Sequence, residues 1–115
     1  MTNWEFASAP EDDGTVELSL NLFEDDASGA INGTVNFRKS VYKVSGHWAA
    51  AGSVPGRKAS VFWFGGGCED VATHYLVAAG DLGTHAAGRY MNIAVVTANS
   101  GDGQDYGYNG QLAAV

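Results

Sequence analysis

Val16, Leu18, Leu20 and Leu22 alternate with Glu17, Ser19 and Asn21, and this period of two returns along most of the chain. Neighbouring side chains on a strand face opposite sides, so each such run reads as a strand with one buried face. Ile31, Gly33, Val35 and Phe37 repeat the pattern against Asn32, Thr34 and Asn36. Tyr42, Val44 and Trp48 repeat it against Lys43, Ser45 and His47. Over residues 58–64, Ala59, Val61 and Trp63 oppose Ser60, Phe62 and Phe64, so both faces are apolar toward the strand's end. Residues 89–98 and Tyr106–Leu112 read as two more strands, and Asn3–Ala7 adds one at the start. Residues 71–79 read two ways. Glu69-Asp70 ahead and Gly80 behind would suit a short helix, whereas Thr73, Tyr75, Val71 and Val77 favour a strand.

Turn residues separate these runs at Glu24–Gly29, Arg38–Ser40, Gly52–Gly56 and Asn99–Gly103. Gly65-Gly66-Gly67 before Cys68 reads as another hairpin turn, with an incidental thiol. Seven or eight sequential strands with short turns and no long crossover predict an all-β antiparallel up-and-down meander. Such a meander closes into a barrel or packs as a sandwich. Closure removes the unpaired edges that invite aggregation, and mid-strand glycines such as Gly33, Gly46 and Gly110 suit a tightly coiled sheet. Glycine supplies 16 of the 115 residues, about twice the usual ~7 %. The expected architecture is therefore a single small β-barrel domain spanning residues 1–115.

Charge narrows the function classes. Thirteen acids oppose six Lys and Arg, for a net charge of −7. A nucleic-acid binder needs a basic stripe to neutralise phosphates, so that role is not expected. Residues 1–26 hold eight acids and no Lys or Arg, whereas Arg38, Lys39, Lys43, Arg57 and Lys58 fall in a stretch, 27–68, without acids. Cys68 alone cannot form an internal disulfide. No apolar run approaches the roughly 20 residues of a helical membrane span. The start Met1-Thr2-Asn3-Trp4 lacks a basic region followed by an apolar one, so a cytoplasmic protein is the expectation; a mature exported fragment would look the same. His47, His74 and His85 lack metal-ligand spacing, and no nucleophile has a base fixed beside it. Neither a metal, nor a cofactor, nor an enzyme is expected.

The ordered segments resemble the avidin and streptavidin family of eight-stranded barrels over residues 15–97. Gly29-Ala30-Ile31-Asn32-Gly33-Thr34 is similar to that family's GALTGTY strand, and Tyr42–Trp48 to its RYVLTGRY segment. Ser60-Val61-Phe62-Trp63 resembles TVAW, Ala72-Thr73-His74-Tyr75 resembles ATTW, and Met91-Asn92-Ile93 falls where RINTQW begins. The resemblance implies a ligand-binding barrel in which Trp63 stacks on a ligand and Thr73 donates a hydroxyl, with Tyr75 beside them in the interior. It also implies a homo-oligomer. The biotin contacts are mostly replaced: Gly14 stands for a Ser, Pro10 for an Asn, Val35 for a Tyr, Phe37 and Val71 for Ser, and Val95 for a Trp. High-affinity biotin binding is therefore not expected.

Two readings follow. In the first, the barrel holds a small molecule or peptide at its open end, at Trp63, Thr73 and Tyr75. In the second, it is an acidic protein–protein interaction module, of inhibitor or immunity type, that uses its outer surface. Phe62, Trp63 and Phe64 cannot all face inward. At least one large ring is therefore left outside to be covered by another subunit, and Phe62 and Phe64 are the expected interface residues.

Overall fold

The computed structural model describes residues 2–49, 60–86, 88–99 and 106–115. The Gly52–Gly56 break, Arg57, Lys58, Ala59 and the turn residues Ser100–Gly103 lie outside the described residues. Eight strands follow one another: β1 (Thr2–Ala7), β2 (Leu18–Glu24), β3 (Ala30–Phe37), β4 (Ser40–Ala49), β5 (Ser60–Cys68), β6 (His74–His85), β7 (Gly88–Asn99) and β8 (Tyr106–Ala114). Each pairs antiparallel with the next, and β1 pairs with β8, so the meander closes into the barrel expected from the alternation. Residues from His74 onward form strand rather than helix. The run continues through Gly80 as far as His85, because β5 and β7 pair along its two edges.

Every strand sends its apolar row inward. Trp4, Phe6, Leu20, Leu22, Ile31, Val35, Phe37, Tyr42, Val44, Phe62, Phe64, Leu76, Met91, Ile93, Val95 and Leu112 all belong to one buried cluster. Eight strands enclose a bore just wide enough for side chains to fill, and here they fill it. Trp4 is the hub at one end. Its ring meets Trp48 edge-on at 6.5 Å and Phe62 at 5.7 Å, and Phe62 stacks on Phe64 at 5.7 Å. The indole N–H groups of Trp4 and Trp48 are buried without a hydrogen-bond partner. Leaving each unmade costs about 1–3 kcal/mol, which the packing of these large rings must offset.

Two expectations need correction. Gly65-Gly66-Gly67-Cys68 is not a turn but the second half of β5, in register with Ser45, Val44, Lys43 and Tyr42. Glycine is tolerated there because the neighbouring backbone passes close by. Cys68 faces inward and is buried. The facing of β5 is also reversed: Phe62 and Phe64 are buried at 4 % and 0 % exposure, whereas Trp63 is 57 % exposed. With apolar residues on both faces, alternation alone carries no register for this strand. Pairing with β4 settles it, because Trp48, packed against the core, lies opposite Phe62, and the outward His47 lies opposite Trp63.

The β3–β4 hairpin turns on Arg38 and Lys39, with φ of 51° and 70°. A two-residue hairpin loop of this twist favours Asn-Gly, because left-handed backbone crowds a Cβ. Lys39→Gly is expected to raise the melting temperature, by relief of roughly 1 kcal/mol of strain. A thermal melt that is unchanged or lower than wild type would contradict this.

Candidate binding surface

The interior is not where the candidate residues meet. Trp63 and Tyr75 stand on the outer surface, at 57 % and 52 % exposure, and Thr73 is exposed in the turn before β6. The ligand position implied for them by the avidin resemblance is therefore not formed. Positions 63 and 75 fall on the outward rows of their strands, and the space they would enter is occupied by Phe62, Phe64 and Leu76.

Those outward rows build something else. Register places Trp63 opposite Ala79, Gly65 opposite Val77 and Gly67 opposite Tyr75. Across the next ladder, Ala79 faces Ala94, Val77 faces Val96 and Tyr75 faces Ala98. Val77 and Val96 are 62 % and 59 % exposed. The outer face of β5–β7 thus carries a contiguous block of aromatic, valine and alanine side chains with no charge inside it. Its border is polar: Asn92 Nδ2 donates to Asp81 at 2.9 Å, and Gln111 Nε2 donates to Asn92 at 3.2 Å. The other half of the barrel differs sharply. The outward rows of β1–β4 are mostly polar, reading Asn3, Glu5, Ala7; Ser19, Asn21, Phe23; Asn32, Thr34, Asn36; and Val41, Lys43, Ser45, His47, with Phe23 alone among them a large exposed apolar ring. Val77 and Val96 were not among the expected site residues. Their signal in the sequence is that β6 and β7, like β5, are apolar on both faces.

A second feature lies at the seam. Among the described residues, β1 pairs with β8 through Phe6–Ala114 and Ala7–Ala113, and the Val115 N–H donates to the Glu5 carbonyl at 2.9 Å. The chain then reaches Ala9-Pro10 and leaves the sheet, since proline offers no N–H to continue a ladder. A cleft of about 420 Å³ opens there, lined by Ser8, Pro10, Val16, Arg89, Tyr90 and Gln111 among others. Beyond it, Glu17 holds Arg38 at 3.1 Å, and the Arg38 guanidinium lies 4.3 Å from the Tyr106 ring centre. Burial, with Glu17 nearby, pushes the Tyr108 hydroxyl above its ordinary value, so it stays protonated at neutral pH.

The acidic first quarter does not form one patch. Glu11, Asp12 and Asp13 are exposed in the β1–β2 connection, whereas Asp25 and Asp26 sit in the turn at the opposite end of β2, and Glu24 is buried. Hydrogen bonds from Thr15 to Asp13 and from Ala27 to Asp25 hold both carboxyls below the usual aspartate range. Among the described residues no group of three or more His, Cys, Asp or Glu converges as a metal site would require. Gly65-Gly66-Gly67 pairs with β4 on one side and β6 on the other.

The geometry defines a solid up-and-down barrel whose exposed chemistry lies on one outer face and one seam. No family model, curated protein or solved structure matches this chain.

Proposed function

We propose that the chain is a non-enzymatic protein-binding barrel that works through its outer surface. The docking face is the β5–β7 block around Trp63, Tyr75, Val77 and Val96, and a second copy of the chain covers it. The carrying observation is the contrast between a bore filled by its own side chains and a charge-free apolar face on one half of the exterior. Contiguous exposed apolar patches mark interaction sites more often than chance surface. The face also suits itself: Gly65, Gly67 and Gly107 leave notches beside the projecting Val77, Tyr75 and Val96. A two-fold axis through such a face brings the knobs of one copy to the notches of the other. Two copies of net charge −7 repel, and an uncharged face is where they meet at least electrostatic cost. The kinship to avidin-like barrels is proposed for architecture alone, without its biotin site.

Light scattering on the purified chain tests this. Wild type is expected to form a dimer or larger closed oligomer, and Val77→Asp a monomer with an unchanged β-sheet spectrum. A wild type that stays monomeric at the highest attainable concentration would remove the reading.

A further inference from the structure

The seam cleft holds a cation without a counter-charge. Met91, Ile93 and Val95 form the buried inward row of β7, and alternation puts Arg89 next on that row, at its exposed end. Arg89 is the only Lys or Arg in the sequence after Lys58. Its guanidinium lies 5.5 Å from the centre of the buried Phe6 ring. Such a cation–π contact occupies one face of the group and leaves the N–H edge open. The Arg89 side chain makes no ion pair or hydrogen bond with any described residue. No Asp or Glu is among the described residues that line the cleft, although the chain carries thirteen acids.

Other donors lie open in the same cleft. Ser8 is 7 % exposed, and its hydroxyl oxygen accepts the Leu18 N–H at 3.2 Å. The hydroxyl's own proton meets no acceptor among the described residues, so it remains available to a ligand oxygen. On the β8 side, residues two apart present their backbone groups to the same edge. The Val115 N–H bonds to Glu5 there, so Ala113 and Gln111 also face the seam. Ala113 is paired with Ala7, whereas the Gln111 N–H has no β1 partner among the described residues. Ala9, Pro10 and the exposed Val16 add apolar wall. The cleft's 420 Å³ lies within the roughly 300–1,000 Å³ of small-molecule sites.

We propose that the seam cleft binds a small monocarboxylate with an apolar body. Its carboxylate sits on Arg89, with Ser8 and the Gln111 N–H as further donors, and its hydrocarbon lies against Ala9, Pro10 and Val16. The planar guanidinium fork matches a carboxylate with two parallel hydrogen bonds. One guanidinium offsets one negative charge, and a protein of net charge −7 repels a second, so a phosphate dianion fits less well. This cleft is separate from the β5–β7 face and does not depend on the oligomer.

Titration with hexanoate, read by the amide NMR shifts of the protein, tests this, with 1-hexanol and hexylamine as neutral and cationic probes of the same chain length. Hexanoate is expected to move the amides of Ser8, Arg89 and Gln111 saturably. It should bind about tenfold or more tighter than either control, as loss of a charge-assisted hydrogen bond implies. Arg89→Gln should melt like wild type, because the side chain is exposed, and should lose about tenfold or more in hexanoate affinity. No saturable shift at millimolar hexanoate, equal binding of hexanoate and hexanol, or equal affinity of wild type and Arg89→Gln would each overturn the proposal. So would shifts centred on Val77 and Val96, which would move the binding to the β5–β7 face. The comparison of the three probes is made on wild type, so it decides even if Arg89→Gln folds poorly. Val77→Asp, which breaks the proposed dimer, should leave hexanoate binding unchanged, so the two readings fail separately.

Discussion

Gly66→Ala and Gly80→Ala are each expected to cost about 3 kcal/mol or more, the upper end of what inserting one methyl into a packed interior does. Gly67→Ala, one residue away, is expected to be nearly silent. A Cβ on Gly66 would run into the Lys43 carbonyl oxygen, and one on Gly80 into the Asn92 carbonyl oxygen. Both obstacles are main chain, fixed by the β4–β5 and β6–β7 ladders, and cannot swing aside as a side-chain tip would. On Gly67 the nearest atom to a new Cβ is 3.8 Å away, an ordinary contact. Against a typical total of about 5–15 kcal/mol, the first two substitutions remove a large share of the stability. In thermal melts this should read as a fall of more than about 10 °C, against little change for Gly67→Ala. Equal melting of Gly66→Ala and Gly67→Ala would mean that β5 does not pass this close to β4.

The same glycines show what was legible in the sequence and what was not. Strand order and facing followed from alternation at Val16–Leu22, Ile31–Phe37 and Tyr42–Trp48, because a strand with one polar row has only one way to face a core, whereas closure was expected from the cost of open edges and from the mid-strand glycines. Gly65–Gly67 misled, since three glycines in a row fit a loop as well as a strand held close to its neighbour. Only the register against Val44 and Lys43 distinguishes the two. The candidate site was less legible still. Phe62, Trp63 and Phe64 required one ring on the far face, but which one depends on the pairing of β5 with β4. Tyr75, Val77 and Val96 raise the same ambiguity in β6 and β7, where neither row is polar enough to mark the outside. The short β1–β8 seam had no local signal at all, since it depends on β1 stopping at Ala7 while β8 runs back to Tyr106.

Adjacent residues on β5 should therefore separate folding from association. Phe64→Ala removes a fully buried ring stacked on Phe62 at 5.7 Å. Aromatic truncation in a packed core costs about 3–5 kcal/mol, from lost transfer energy plus the cavity left behind. The variant should melt well below wild type. Trp63→Ala removes a larger ring from a position 57 % exposed. In an isolated barrel that loss costs little, because the ring is mostly hydrated before and after. If a second copy covers the face, Trp63 sits where large aromatics dominate binding energy, and truncation there commonly costs 2 kcal/mol or more, about thirtyfold in the dissociation constant. Denaturant melts of the two variants at low concentration, with sedimentation at higher concentration, would read the two effects independently. The expected pattern is a destabilised Phe64→Ala, alongside a Trp63→Ala that folds normally and dissociates more readily than wild type. A Trp63→Ala that unfolds as readily as Phe64→Ala would place that indole inside the barrel and return the ligand site to the bore. A Trp63→Ala that folds and associates like wild type would leave the β5–β7 face without a partner.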